Sequence, residues 1–230
     1  NYYTKVAMSS VNASGKSSSE RYEFYLELLN PQSFVVNVSG KSLTIKLTTQ
    51  NQSKVIKYYK GDVFSSFVNS MEVYFDDIQQ ARQGIEAMQL ICEKSPASQV
   101  SFASKEQAYN WLKNNIKESR EGVVIQNQVD VFPAQSHKMV LTAKETDTKG
   151  SLKESKYEFY IADFTQNSFQ IKAKGTRLEL AFTTSGKLKP VKYFQDGVQK
   201  NYTNRFSMYG TDPLNMMQIL NAFKYLTESN

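Results

Sequence analysis

The side chains that most often do chemistry are scarce in this chain: it has one histidine, His137, and one cysteine, Cys92. A transition-metal centre needs clustered ligands, and nucleophilic triads of the Ser-His-Asp or Cys-His kind need a histidine beside the nucleophile, so neither is expected. Cys92 has no second cysteine for a disulfide; spaced from Ile85 and Met88, it falls on the apolar stripe of a helix and reads as an inert buried thiol. His137 falls beside a loop and reads as solvated. Glu23 and Glu158 are the only acids repeated inside a strand pattern. They fall opposite Tyr22/Phe24 and Tyr157/Phe159, on the expected solvent side, one per half of the chain. That is not the facing acid pair that cuts glycosidic bonds.

Asp77 and Asp212 recur as well, and both read as helix N-caps. Glu72 with Asp76 and Asp77 lacks the spacing of an EF-hand loop. Gly15-Lys16-Ser17 has neither the preceding glycine nor the following helix of a phosphate-binding loop, and reads as a turn. No catalytic residue, metal or cofactor is therefore assigned.

Two sets of residues suit binding instead. Lys144, Lys149, Lys153 and Lys156, with Lys172, Lys174 and Arg177, are placed to form a cationic, anion-binding rim. Tyr25, Tyr160 and Tyr202, with Tyr58 or Tyr59, fall on outward strand positions, where a ring can stack on a glycan or protein and its hydroxyl can hydrogen-bond. The aromatics keep core spacing and are not interleaved with the basic cluster, so nucleic acid is an unlikely partner.

These residues are positioned by a sequence that contains itself twice. Tyr22-Glu23-Phe24-Tyr25 recurs as Tyr157-Glu158-Phe159-Tyr160, and the offset (157 − 22 = 135) holds through Gly15/Gly150, Ser33/Ser168, Gly40/Gly175, Lys57/Lys192 and Ala87/Ala222. That is the mark of a duplicated structural unit. Alternation at Tyr22, Phe24, Leu26 and Leu28 predicts a strand, and Asn30-Pro31 breaks it before a second alternation at Phe34, Val36 and Val38. Ser39-Gly40-Lys41 predicts a tight turn into Leu43, Ile45 and Leu47, matched by Leu178, Leu180 and Phe182. Further strands are expected over about 54–60 and 63–75, and leading strands over about 4–12 and 138–146.

The period then changes. Ile78, Ala81, Ile85, Met88 and Ile91 predict a helix after Asp76-Asp77; Pro213, Met216, Met217, Leu220 and Phe223 predict its counterpart after Asp212. Between the copies, Ser104 and Gln107 form a capping box for a linker helix bearing Ala108, Trp111, Leu112 and Ile116, stopped by Gly122. A short strand begins at Val123-Val124-Ile125, with Pro133 beyond it.

The expected fold is thus α+β, mostly antiparallel β: a tandem duplication of a unit of about six or seven strands plus a C-terminal helix. Unit 1 spans 1–95, the linker 96–122 and unit 2 123–230. In element order and length each unit resembles a pleckstrin-homology-type barrel, two near-orthogonal sheets closed by a helix. The resemblance implies a phosphoinositide rim on the first strands and their loop, here interrupted by Glu145, Asp147 and Glu154 and lacking that motif's strand arginine. The rival is a single curved sheet with its helix across one face.

The net charge of +6 is uneven: residues 1–95 hold 10 basic and 9 acidic groups, residues 136–230 hold 14 and 9. The copies are expected to differ in what they face. No stretch approaches membrane-spanning length. A start at Asn1 without Met favours export, to the periplasm, cell surface or medium. Together these features point to a non-enzymatic binding protein with a protein or glycan partner. The alternatives are an anionic-membrane adaptor using the basic rim, an enzyme using Glu118, Glu121 or Asp130 at the junction of the copies, and a structural or assembly subunit.

Overall fold

The computed structural model describes residues 3–12, 14–39, 42–94, 100–116, 119–121, 123–133, 137–186 and 188–228. The chain forms two compact units, Asn1–Ser98 and Gln99–Asn230. Among the described residues it holds four antiparallel sheets and three α-helices, a β-rich α+β architecture. Gly40, Lys41, Glu118 and Gly122, invoked above, lie outside the described residues.

In the first unit, β1 (Tyr3–Val11) pairs with β2 (Ser17–Tyr25) in a register running from Tyr3↔Tyr25 to Val11↔Ser17. Gly15, at φ +79°, turns the hairpin, and the Asn12 side chain accepts from the backbone N–H groups of Ser14 and Lys16. The chain then leaves this sheet to form β3 (Val35–Ser39) and β4 (Ser42–Thr48), and returns as β5 (Ile56–Lys60), which pairs with β2, and β6 (Val63–Val68). β7 (Ser70–Phe75) crosses back to pair with β4.

The alternating run over 63–75 is therefore two strands in two sheets. They part at Asn69, whose carbonyl accepts the Thr49 N–H at 2.9 Å. Among the described residues the unit's strands form two sheets, not the single curved sheet. Helix α1 (Ile78–Lys94) closes the unit; the Asp77 carboxylate caps it by accepting from Gln79 and Gln80 N–H. Phe24, Leu26, Leu29, Phe34, Ile45, Leu47, Ile56, Met71 and Ala81 form the buried core, as period-two strands and a period-3.6 helix facing one another require.

The second unit begins with α2 (Lys105–Asn115), β8 (Ser119–Glu121) and β9 (Val123–Phe132). Then come β10 (Lys138–Thr146), β11 (Leu152–Tyr160), β12 (Phe169–Lys174), β13 (Arg177–Thr183), β14 (Lys192–Gln195), β15 (Val198–Gln199), β16 (Arg205–Gly210) and helix α3 (Pro213–Thr227). One sheet runs β15-β14-β11-β10-β9-β8, the other β12-β13-β16. Asp212 caps α3 by accepting from Leu214 and Asn215 N–H at 3.0 and 3.1 Å.

α2 and β9 both belong to the second unit. The helix expected as a linker is packed on α3: Asn215 donates to the Asn115 carbonyl at 2.9 Å, and the Phe102 and Tyr225 rings meet at 5.3 Å. The strand that starts at Val123 is also not short. It is ten residues long, nine of them paired with β10, and it buries Ile125 and Val129 completely. Moving 135 positions along the chain (157 − 22 = 135) carries β1 onto β10, β2 onto β11, β4 onto β13 and β7 onto β16 at equal length, and the Tyr3↔Tyr25 pairing onto Lys138↔Tyr160.

Candidate functional site

The seven cations singled out by sequence separate into two groups. On the outer face of β10 and β11, alternation puts lysines and glutamates opposite one another, and they pair. Lys138 and Lys156 reach Glu158 at 2.7 and 3.1 Å, and Lys144 reaches Glu154 at 3.3 Å. Lys156 also lies 4.1 Å over the Phe194 ring. The Lys138 ammonium, followed by that of Lys156, holds the Glu158 carboxyl below the usual carboxylate range against the opposing effect of burial. Lys144 and Lys156 are thus spent on internal pairing. Lys149 and Lys153 are exposed, in and just after the β10–β11 turn, where Asp147 accepts the backbone N–H groups of Lys149 and Ser151.

The second group lies on the outer face of β12-β13-β16. Register places Lys174 beside Arg177, Lys172 beside Glu179 and Tyr209, Gln170 beside Ala181 and Ser207, and Thr183 beside Arg205. Ala181, the smallest residue in this grid, leaves a groove of about 490 Å³ lined also by Gln170, Lys172, Glu179, Arg205 and Ser207. Glu179 accepts from the Ser207 hydroxyl at 2.7 Å and from that of Tyr209 at 3.3 Å, which fixes the groove's one carboxylate. Lys174 donates to the Tyr209 hydroxyl at 3.2 Å, and Lys174 and Arg177 cover that ring. Arg177 also approaches Glu145 at 3.7 Å. Lys172 and Arg205 remain as the groove's outward cations. Arg205, Glu179 and Ser207 had not been singled out from sequence, although the alternation Arg205-Ser207-Tyr209 on one strand was there to be read.

The matching face of the first unit differs in kind. Position 46, equivalent to Ala181, is an exposed lysine, and Val35, Asn37, Ser70 and Glu72 stand where Gln170, Lys172, Arg205 and Ser207 stand. The groove and its cations belong to the second unit.

Glu23 overturns the expectation of a solvent-side carboxylate: the residue is only 6% exposed. Tyr3 and Tyr59 donate hydroxyls to it, the latter at 3.2 Å, while Lys5 and Arg21 reach it at 3.4 and 3.2 Å. Burial pushes its pKa up, but the Tyr3, Lys5 and Tyr59 donors outweigh that, and the carboxyl sits below its ordinary value. In the first unit the outward tyrosines are packed: Tyr25 against Tyr3, Tyr58 stacked on Tyr22, and Tyr59 beneath Arg21. Tyr160 and Tyr202 are exposed, at 43% and 46%. His137 stacks on Tyr109 with ring centroids 5.0 Å apart.

Among the described residues, no group of three or more His, Cys, Asp or Glu side chains converges as a metal site would require. Asp130, on β9, accepts from Gln128 at 2.9 Å. No described helix is long and apolar enough to cross a membrane. No protein-family model, curated protein or solved structure matches the chain.

Proposed function

We propose that this is a non-enzymatic binding protein built from two copies of one β-rich unit, whose second copy takes an anionic protein or glycan partner on the β12-β13-β16 face. The groove over Ala181 carries the reading: two cations stand at its edges, a hydrogen-bonded carboxylate and two hydroxyls fix its polarity, and the matching face of the first copy has none of this arrangement. Duplication frees one copy to hold the scaffold while the other changes its surface. Support for the duplication is the offset of 135 (157 − 22 = 135) that carries both strand bounds and pairing register. The pleckstrin-homology comparison stays one of element order, two sheets followed by a helix. The Tyr209 ring, already covered by Lys174 and Arg177, favours carboxylate or sulfate recognition over sugar stacking.

The membrane-adaptor alternative rests on a different pair of cations, the exposed Lys149 and Lys153 of the β10–β11 turn. Calorimetry with a poly-glutamate peptide, an alginate oligosaccharide and phosphoinositide vesicles separates the three partner classes. Binding of either of the first two should be lost in K172E/R205E and kept in K149E/K153E, and should weaken with salt. Binding of vesicles alone, lost in K149E/K153E, would replace this reading with the membrane one.

A further inference from the structure

The groove over Ala181 holds an acceptor that its own residues leave unused. The two hydroxyls that fix Glu179, those of Ser207 and Tyr209, both donate to the same oxygen, Oε1. Among the described residues no donor meets the other oxygen, Oε2, and Glu179 stands half-buried on the groove wall. Register sets the two outward cations around it. Lys172 is directly opposite Glu179 on the β12 side, and Arg205 is opposite Thr183 on the β16 side. Glu179 and Thr183 are four residues apart on β13 (183 − 179 = 4), roughly 13 Å at the usual rise of a strand. Between them the floor is the Ala181 methyl. The Phe182 and Phe206 rings beside it turn into the core, where they stack 4.5 Å apart. The wall of this groove is therefore polar side chains and one methyl group. In the first unit Thr44, buried, stands at the place of Glu179, and Lys46 at that of Ala181.

We infer, resting on the groove reading above, that its ligand is an acidic oligosaccharide and not an acidic peptide, with Glu179 as the residue that sets this choice. Its Oε2 accepts from ring hydroxyls, while Lys172 and Arg205 take successive anionic groups along the chain. Two observations decide between the partners. A protein partner draws its affinity from apolar or aromatic anchors seated in dry pockets, and this groove offers only the Ala181 methyl to such an anchor. A chain of acidic side chains also sets like charge against Glu179 and brings no hydroxyl to satisfy it, so the carboxylate acts against that class. An acidic sugar carries both the anion that the cations need and the donors that Oε2 needs. A site built around such a hydrogen bond rejects an analogue that lacks the hydroxyl, because its own polar group is then left unpaired. The volume, about 490 Å³, is that of a small-ligand site.

The test is calorimetry on the full 230-residue chain with three probes. They are an alginate oligosaccharide, the same oligosaccharide with its ring hydroxyls acetylated, and a poly-glutamate peptide of matched charge. Free alginate should bind about tenfold more tightly than either of the others, since only it keeps both the anions and the donors. In Glu179→Gln the preference for free over acetylated alginate should shrink severalfold. Taking that ratio cancels the general gain for anions that comes from removing a negative charge. The comparison of free with acetylated alginate on the unmodified chain decides by itself if the variant folds poorly. Equal binding of the two alginates, poly-glutamate binding as tight as alginate, or full discrimination kept in Glu179→Gln would each overturn this inference and leave an anion-binding groove. Failure of all three probes to bind would remove the groove reading, and this inference with it.

Discussion

Glu23 and Glu158 occupy matching positions and are held by different donors, tyrosines with Lys5 and Arg21 in one unit, Lys138 and Lys156 in the other. Both carboxyls sit below their ordinary pKa in the folded chain. Their pairing therefore contributes fully above the unfolded-state value, about 4.3, and is lost as pH falls through the lower folded value. Urea midpoints should fall as pH drops through and below about 4.3, and Glu158→Gln should lower the midpoint at pH 7 while flattening that fall; an unchanged acid slope would contradict the pairing. Cys92 behaves as its helical position predicts. Burial, aided by Glu27 and Glu93, pushes its thiol up to about 11, and the thiol donates to the Leu26 carbonyl. Iodoacetamide at pH 8 should label it at least about tenfold more slowly in the folded chain than in urea. The core-side position of Cys92, half-buried against the first unit's core, was legible because helix period alone decides it. The burial of Glu23 was not, because Tyr3 and Tyr59 reach it from neighbouring strands and alternation within β2 carries no information about them.

At the scale of elements, the helices followed from local rules and the strand pairings did not. Asp212 before Pro213 marks the start of α3 in sequence and caps it in the structure, so Asp212→Ala should cost about 1 kcal/mol by chemical denaturation. The break at Asn69 and the length of β9 escaped the pattern. Asn69 ends one strand only because Thr49 bonds to it from elsewhere, and Asn127, polar but buried, interrupts the apolar alternation of β9 in sequence. The two units also trade bulk between strand and helix. Phe75 and Gly84 stand in the first where Gly210 and Ile219 stand in the second, and a β-carbon added at Gly84 would lie 3.5 Å from the Phe75 ring. That is ordinary contact. Gly84→Ala should stabilise by about 0.5–1 kcal/mol through helix propensity. Gly84→Ile should instead cost about 1–3 kcal/mol by overpacking the ring. Thermal melts of the two variants should move in opposite directions.

Across the whole molecule, the charge asymmetry visible in composition becomes specific only once register is known. Strands of equal length recur at a fixed offset in the first 95 residues and the last 95, and cations of the latter include an internally paired ladder on β10–β11 and the grooved face of β12-β13-β16. Sequence marked the lysines but could not separate those groups, because pairing depends on which strands are neighbours. In the second unit β10 is flanked by β9 and β11, whereas in the described residues of the first unit β1 is flanked by β2 alone. Residue-resolved amide hydrogen exchange on the unliganded 230-residue chain tests this most directly. β10, bonded on both sides, should be protected along its length, whereas β1 should be protected only at the alternate amides that point toward β2. Uniform protection along β1, equal to that of β10, would contradict the account.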